Sequence, residues 1–113
     1  MSVIEKLDIL APFEIWEVLL DNSTIQFHQP LLLTPQRMPH DPDEPGDVEY
    51  WEVEVPKLAI SSYGINQEEL GAAIRSDIRF AWRHFVMADD SLLTSDAKTI
   101  KDNYLAIAEA VDG

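Results

Sequence analysis

The chain contains no cysteine. That excludes disulfides, thiolate metal sites and cysteine nucleophiles together, and makes the reducing cytosol the default compartment. Glycine is scarce, with four in all; none forms a phosphate-cradling loop, and no Gly-x-Ser-x-Gly elbow occurs. No apolar run approaches the ~18 residues of a membrane span. Residues 1–6 lack a basic stretch leading into an apolar core, so no secretion signal is expected. Basic side chains are few. Eight Lys and Arg stand against 21 Asp and Glu, a formal net charge of −13. Such a surface repels phosphate backbones and anionic membranes and favours basic proteins as partners.

With 113 residues, 46% hydrophobic and 9% aromatic, the chain is too apolar for disorder despite its charge. At this size roughly two thirds of the unfolded surface can be buried, which suffices for one core. A single domain spanning 1–113 is expected, without a cofactor.

Residues 13–20 are β-branched and aromatic with interspersed Glu, and stop at Asp21-Asn22-Ser23, which are turn formers. From Thr24 to Leu33, Ile25, Phe27, Leu31 and Leu33 share one side of a period-2 pattern, completing a hairpin. Pro30 cannot donate to a ladder, so this second strand should lie at an edge, bulge there or break. Residues 34–47 hold four prolines and several acids and read as a loop. Strand character returns over 48–55, with Trp51, Val53 and Val55 on one face and Tyr50, Glu52 and Glu54 on the other. Pro56 ends it, and 58–63 reads as the return strand, closed by Gly64.

Asn66 and Glu69 form a capping box for a helix over 66 to about 87, in which Leu70, Ile74, Ile78, Ala81, Trp82 and Phe85 make one apolar arc. Ala73, Phe80 and His84 lie on another side, where a second element should pack. Thr94 or Ser95 caps a second helix, read as continuing to the end at 113, with Ala97, Ile100, Tyr104, Ile107, Ala108 and Val111 along one stripe. The order points to an α+β class: an antiparallel sheet of about four strands with two C-terminal helices packed on one face. Trp16, Trp51 and Trp82 are expected as core anchors. Phe80 and Tyr104 are expected to join the helices or line a homodimer contact.

Two constellations bear on function. Arg75, Arg79 and Arg83 stand four apart, with no Asp or Glu three or four residues from any of them, so their mutual repulsion needs relief from elsewhere. As scaffold they lay their stems on the core and meet strand carboxylates; as a site they grip an acidic group, because Arg forks match carboxylate and phosphate. The second constellation is the acidic run Asp41, Asp43, Glu44, Asp47, Glu49, Glu52 and Glu54, which contains no Lys or Arg. It reads as a solvated face or as a landing site for a basic protein, with Tyr50, Glu52 and Glu54 projecting from the outer face of a strand. Metal sites are not expected: residues 41–47 lack calcium-loop periodicity, and His28, His40 and His84 are scattered. No catalytic residues are assigned, although 21 carboxylates leave a small acid/base hydrolase as a third reading behind an interaction module and a self-associating structural domain.

The stretch Tyr50-Trp-Glu-Val-Glu-Val-Pro-Lys-Leu-Ala-Ile-Ser-Ser-Tyr-Gly64, followed by Asn66-Gln-Glu-Glu-Leu70 opening a helix, resembles HicB-like antitoxins over residues 48–86. In that family a strand ends at Val-Pro, a short strand returns to Gly, and Thr-x-Glu-Glu-Ala starts the helix. Here the usual Gly after the Pro-x-x turn is Ala59, the capping Thr is Asn66, and the Ala after the Glu pair is Leu70. The resemblance implies an incomplete ribonuclease-H-like α+β domain that neutralises a small, basic RNA-cleaving toxin by covering it. It assigns no individual contact residue. The residues expected to meet a partner are therefore Asp43, Glu44, Asp47, Tyr50, Glu52 and Glu54, with Arg75, Arg79 and Arg83.

Overall fold

A computed structural model describes residues 11–38 and 50–112. Its elements are β1 (Phe13–Leu19), β2 (Ser23–Leu33), β3 (Gln36–Met38), β4 (Tyr50–Val55), β5 (Ile60–Gly64), α1 (Gln67–Ala81), α2 (Ser95–Ile107) and β6 (Ala108–Asp112). They form two antiparallel three-stranded sheets, ordered β1-β2-β6 and β3-β4-β5, in place of the single four-stranded sheet expected. Two-stranded hairpins are marginal on their own. Each hairpin takes its third strand from a segment whose local sequence points elsewhere. Residues 36–38, inside the expected loop, pair with β4, and residues 108–112, the expected end of the second helix, pair with β2 from Phe27↔Ala108 to Ser23↔Asp112.

The β1–β2 ladder shifts register: Ile15 pairs with Leu31 but Glu17 pairs with Gln26. Residues 27–30 bulge opposite Trp16, and Pro30 falls inside the bulge, one of the three outcomes its missing N–H allowed. The bulge also resets the inward side of β1. Phe13 and Ile15 are buried, then Val18, while Trp16 is left 57% exposed with its Nε1 donating to Glu14 Oε1 at 2.7 Å. Trp16 is thus no core anchor, whereas Trp82 is buried and Trp51 half-buried.

One core joins both sheets and α1. Leu70, Ile74, Ile78, Ala81 and Trp82 pack with Ile15, Val18, Ile25, Val53 and Ile60. Asn66 Oδ1 accepts from the Glu69 amide at 2.8 Å, and Glu69 Oε1 reaches back to the Ile65 amide at 3.4 Å. The expected cap is present, displaced by one residue on the return bond. The helix passes at Trp82–Val86 into a π-helical turn closed by the Met87 amide on the Trp82 carbonyl. α2 packs against this turn, Tyr104 meeting Trp82 edge to face, and not on the side expected from Phe80 and the turn's own His84. Those two stay exposed and stack on each other, ring centroids 4.2 Å apart.

Three consecutive carbonyls of the 3-10 turn Pro56–Leu58 are all satisfied. The Ala59 amide donates to Pro56, Asn103 Nδ2 to Lys57 at 2.9 Å, and the buried Tyr104 hydroxyl to Leu58 at 2.6 Å. From its middle α2 is held by Lys101, whose Nζ donates to the Ala88 carbonyl and to Asp90 Oδ1. That hydrogen bond and charge keep the Asp90 carboxyl below its ordinary range. Ala59 is the one described non-glycine residue with positive φ, 55°. A left-handed L-residue costs about 1–2 kcal/mol, partly returned by the lower unfolded-state entropy of Ala. Ala59→Gly is therefore expected to stabilise by up to about 1 kcal/mol, seen as a melting point roughly 2–4 °C higher.

A second link ties α1 to β5. Asp77 Oδ2 accepts from the Ser61 amide at 3.0 Å and from the Ser62 hydroxyl at 2.7 Å, and Ser62 is buried. Asp77→Ala leaves both donors unpaired and should cost about 2 kcal/mol in chemical denaturation; Asp77→Asn, which keeps an acceptor oxygen, should cost less than half of that.

Candidate functional site

Pairing of Glu52 with Tyr63, Glu54 with Ser61, Gln36 with Glu52 and Met38 with Tyr50 sets these side chains on one face of the β3-β4-β5 sheet. The opposite face carries Val53, Ile60 and Ser62, which are buried. Tyr50, Glu52 and Glu54 therefore do share an outer face. Tyr50 and Tyr63 meet edge to face, centroids 5.9 Å apart, and Ser61 Oγ lies 3.4 Å from Glu54 Oε1. Beside them lies a groove of about 490 Å³ lined by Tyr50, Glu52, Ser61, Tyr63, Ile65 and Glu69. Tyr63 is 66% and Ile65 56% exposed, so apolar surface and carboxylates are presented together. Among the described residues, every ionisable side chain of the groove other than the two tyrosines is a carboxylate.

Tyr63, Ile65 and Glu69 are members of this face that sequence reasoning did not select. Tyr63 was within reach of it. The return strand has the same period-2 pattern as its partner, and counting the register back from the Pro56 turn sets Tyr63 opposite Glu52. Glu69 reads from the sequence as part of the helix cap, which it also serves. Asp43, Glu44 and Asp47 lie outside the described residues.

The arginine ribbon is elsewhere. Arg83 Nη2 bonds Asp21 Oδ1 at 2.8 Å, across the β1–β2 turn, and Arg75 Nη1 donates to the Gly71 carbonyl at 3.2 Å. The partners are thus a turn carboxylate and a carbonyl of the same helix rather than the strand carboxylates of the scaffold alternative, while Arg79 is half-buried without a polar partner among the described residues. Both partners of the Arg83–Asp21 pair are largely exposed, so it contributes under about 1 kcal/mol. A second groove, about 480 Å³, runs beside the bulge between Phe27, Pro30 and Ile107; its His28 lies 3.5 Å from Glu109. Among the described residues no group of three His, Asp or Glu side chains could hold a metal ion, and no helix is long and apolar enough to cross a membrane. Compared with protein-family models, curated proteins and solved structures, the chain matches none.

Proposed function

We propose that the chain is a non-catalytic interaction module of the cytosol that receives a small basic protein on the outer face of the β3-β4-β5 sheet. In its most concrete form it is an antitoxin that covers a basic RNA-cleaving toxin. One observation carries the reading: Tyr50, Glu52, Tyr63 and Glu69 gather around an open groove with no Lys or Arg among its described lining residues, and Glu54 lies on the same sheet face. Exposed aromatic area supplies affinity, and the carboxylates supply steering and orientation. The net charge of −13 acts in the same direction, and the HicB-like pattern over residues 48–86 provides independent support. Direct binding of nucleic acid forms no part of the proposal. The test is to express the open reading frame adjacent to this chain's own, alone and together with the chain. Expected are a small basic product that cleaves RNA and arrests growth, rescue by the wild type, and weaker rescue by Glu52→Gln/Glu54→Gln. An unrelated neighbour, or equal rescue by the variant, speaks against it.

One observation favours a second reading, self-association. The outer edge of β1 is unpaired among the described residues, and Trp16 and Leu19 on that strand are 57% and 70% exposed. Open apolar strand edges template pairing with another chain. Light scattering on the pure protein separates the two: a stable dimer at micromolar concentration supports self-association, a monomer the interaction module.

A further inference from the structure

We infer that the Tyr50–Tyr63 groove takes up a single arginine side chain from the docking protein, an inference that rests on the reading above and gives its face a point of recognition. Tyrosine rings carry negative charge on their faces and attract cations within about 6 Å. Both rings line the groove, and Tyr63 is only one third covered by the protein itself. The carboxylates needed to complete a cation site are at hand. Glu52 stands directly across the ladder from Tyr63 and has no partner among the described residues. Glu69 uses one oxygen, at 3.4 Å, on the Ile65 amide. Beyond them, Glu54 is tied to Ser61.

Charge complementarity selects a cation. A phosphate-bearing ligand is repelled by this lining, and a purely apolar side chain would desolvate Glu52 without pairing it. Between the two basic side chains the groove suits arginine. The planar guanidinium stacks on an aromatic face while its fork engages a carboxylate through two parallel hydrogen bonds; the compact, strongly hydrated lysine ammonium cannot do both.

The experiment is an amide-resolved NMR titration of the whole chain with three capped tripeptides, acetyl-Gly-X-Gly-amide, where X is arginine, lysine or citrulline. Expected are saturable shifts centred on Glu52, Tyr63, Gly64 and Ile65 for arginine, several-fold weaker binding for lysine, and none for citrulline, which keeps the shape without the charge. Tyr63→Leu and Glu52→Gln should each weaken arginine binding roughly fivefold. Tyr63 is exposed, so its replacement leaves the core intact, and Tyr50→Leu is an independent second variant. Equal shifts with citrulline, or arginine shifts spread over the acidic surface regardless of Tyr63, overturn the inference. The two proposals fail separately. If Tyr63→Leu is neutral while Glu52→Gln weakens docking of the neighbouring frame's product, the arginine cradle falls and the docking face stands. If the arginine peptide seats as expected but that product does not bind, the cradle stands and the toxin reading falls.

Discussion

Gly64→Ala is expected to lower the melting temperature by roughly 10 °C or more, corresponding to about 3 kcal/mol for a domain of this size. A Cβ built on Gly64 would lie 2.7 Å from the Leu70 backbone nitrogen, 3.0 Å from its Cα and 3.1 Å from the Glu69 carbonyl carbon. All three are backbone atoms of the first turn of α1, so no rotamer change can relieve the clash. The helix start must move off the end of β5, and with it Leu70, which is fully buried in the core shared by both sheets. Differential scanning calorimetry reads the effect. A shift under about 2 °C would show that α1 is not seated this closely on β5.

Tyr104→Ala is expected to cost about 4 kcal/mol, since it removes a fully buried aromatic ring that packs edge to face on Trp82 with centroids 6.0 Å apart. Tyr104→Phe isolates the hydroxyl. It leaves the Leu58 carbonyl without its 2.6 Å donor, at a cost of about 2 kcal/mol. The same hydroxyl gives a pH signature. Burial, with a lesser contribution from the Asp77 charge, pushes its pKa well above the ordinary phenol value of 10.0. The folded state therefore holds a proton that the unfolded state releases. The stability this supplies is complete below pH 10 and is lost progressively above it, by up to about 1.4 kcal/mol per pH unit. Denaturation of the wild type and Tyr104→Phe at pH 8 and pH 11 should show the gap between them narrowing at the higher pH. A constant gap would mean that the phenol ionises as readily in the folded state as in the unfolded one.

What the residues made legible, and what they did not, follows from where local signals were decisive. Asn66, the Thr94-Ser95 pair and the arc from Leu70 to Trp82 located both helices because caps and 3.6-residue spacing act within a few residues; of the two candidates for the second cap it is Thr94 whose Oγ1 accepts from the Ala97 amide. Alternation in β4 put Tyr50, Glu52 and Glu54 on one face for the same reason. Local sequence failed where the partner decides the conformation. Ala108 to Asp112 continue the stripe of α2 without a Gly or Pro to stop it, yet the open edge of β2 takes them as a strand, with Ala108 extended at φ −151°. Gln36 to Met38 are too short to show a period and become a strand only because β4 is beside them. Trp16 has the same parity as the buried Val18, and only the bulge between Ile15 and Glu17 separates their sides, which alternation alone cannot reveal. The candidate groove was half legible: its β4 members stood out by charge, while Tyr63, Ile65 and Glu69 join it only through the β4–β5 register and the start of α1.

The most direct measurement of the docking claim is the association rate between this chain and the basic product of the adjacent reading frame, followed from about 25 to about 200 mM salt for wild type and Glu52→Gln/Glu54→Gln. Exposed charges are screened beyond roughly 8–10 Å at physiological ionic strength, so a steered encounter should slow by about tenfold over this range. Removing the two carboxylates should flatten that dependence and slow the low-salt rate. A complex that forms at one rate throughout the range, with the variant indistinguishable from the wild type, would contradict the assignment of this face.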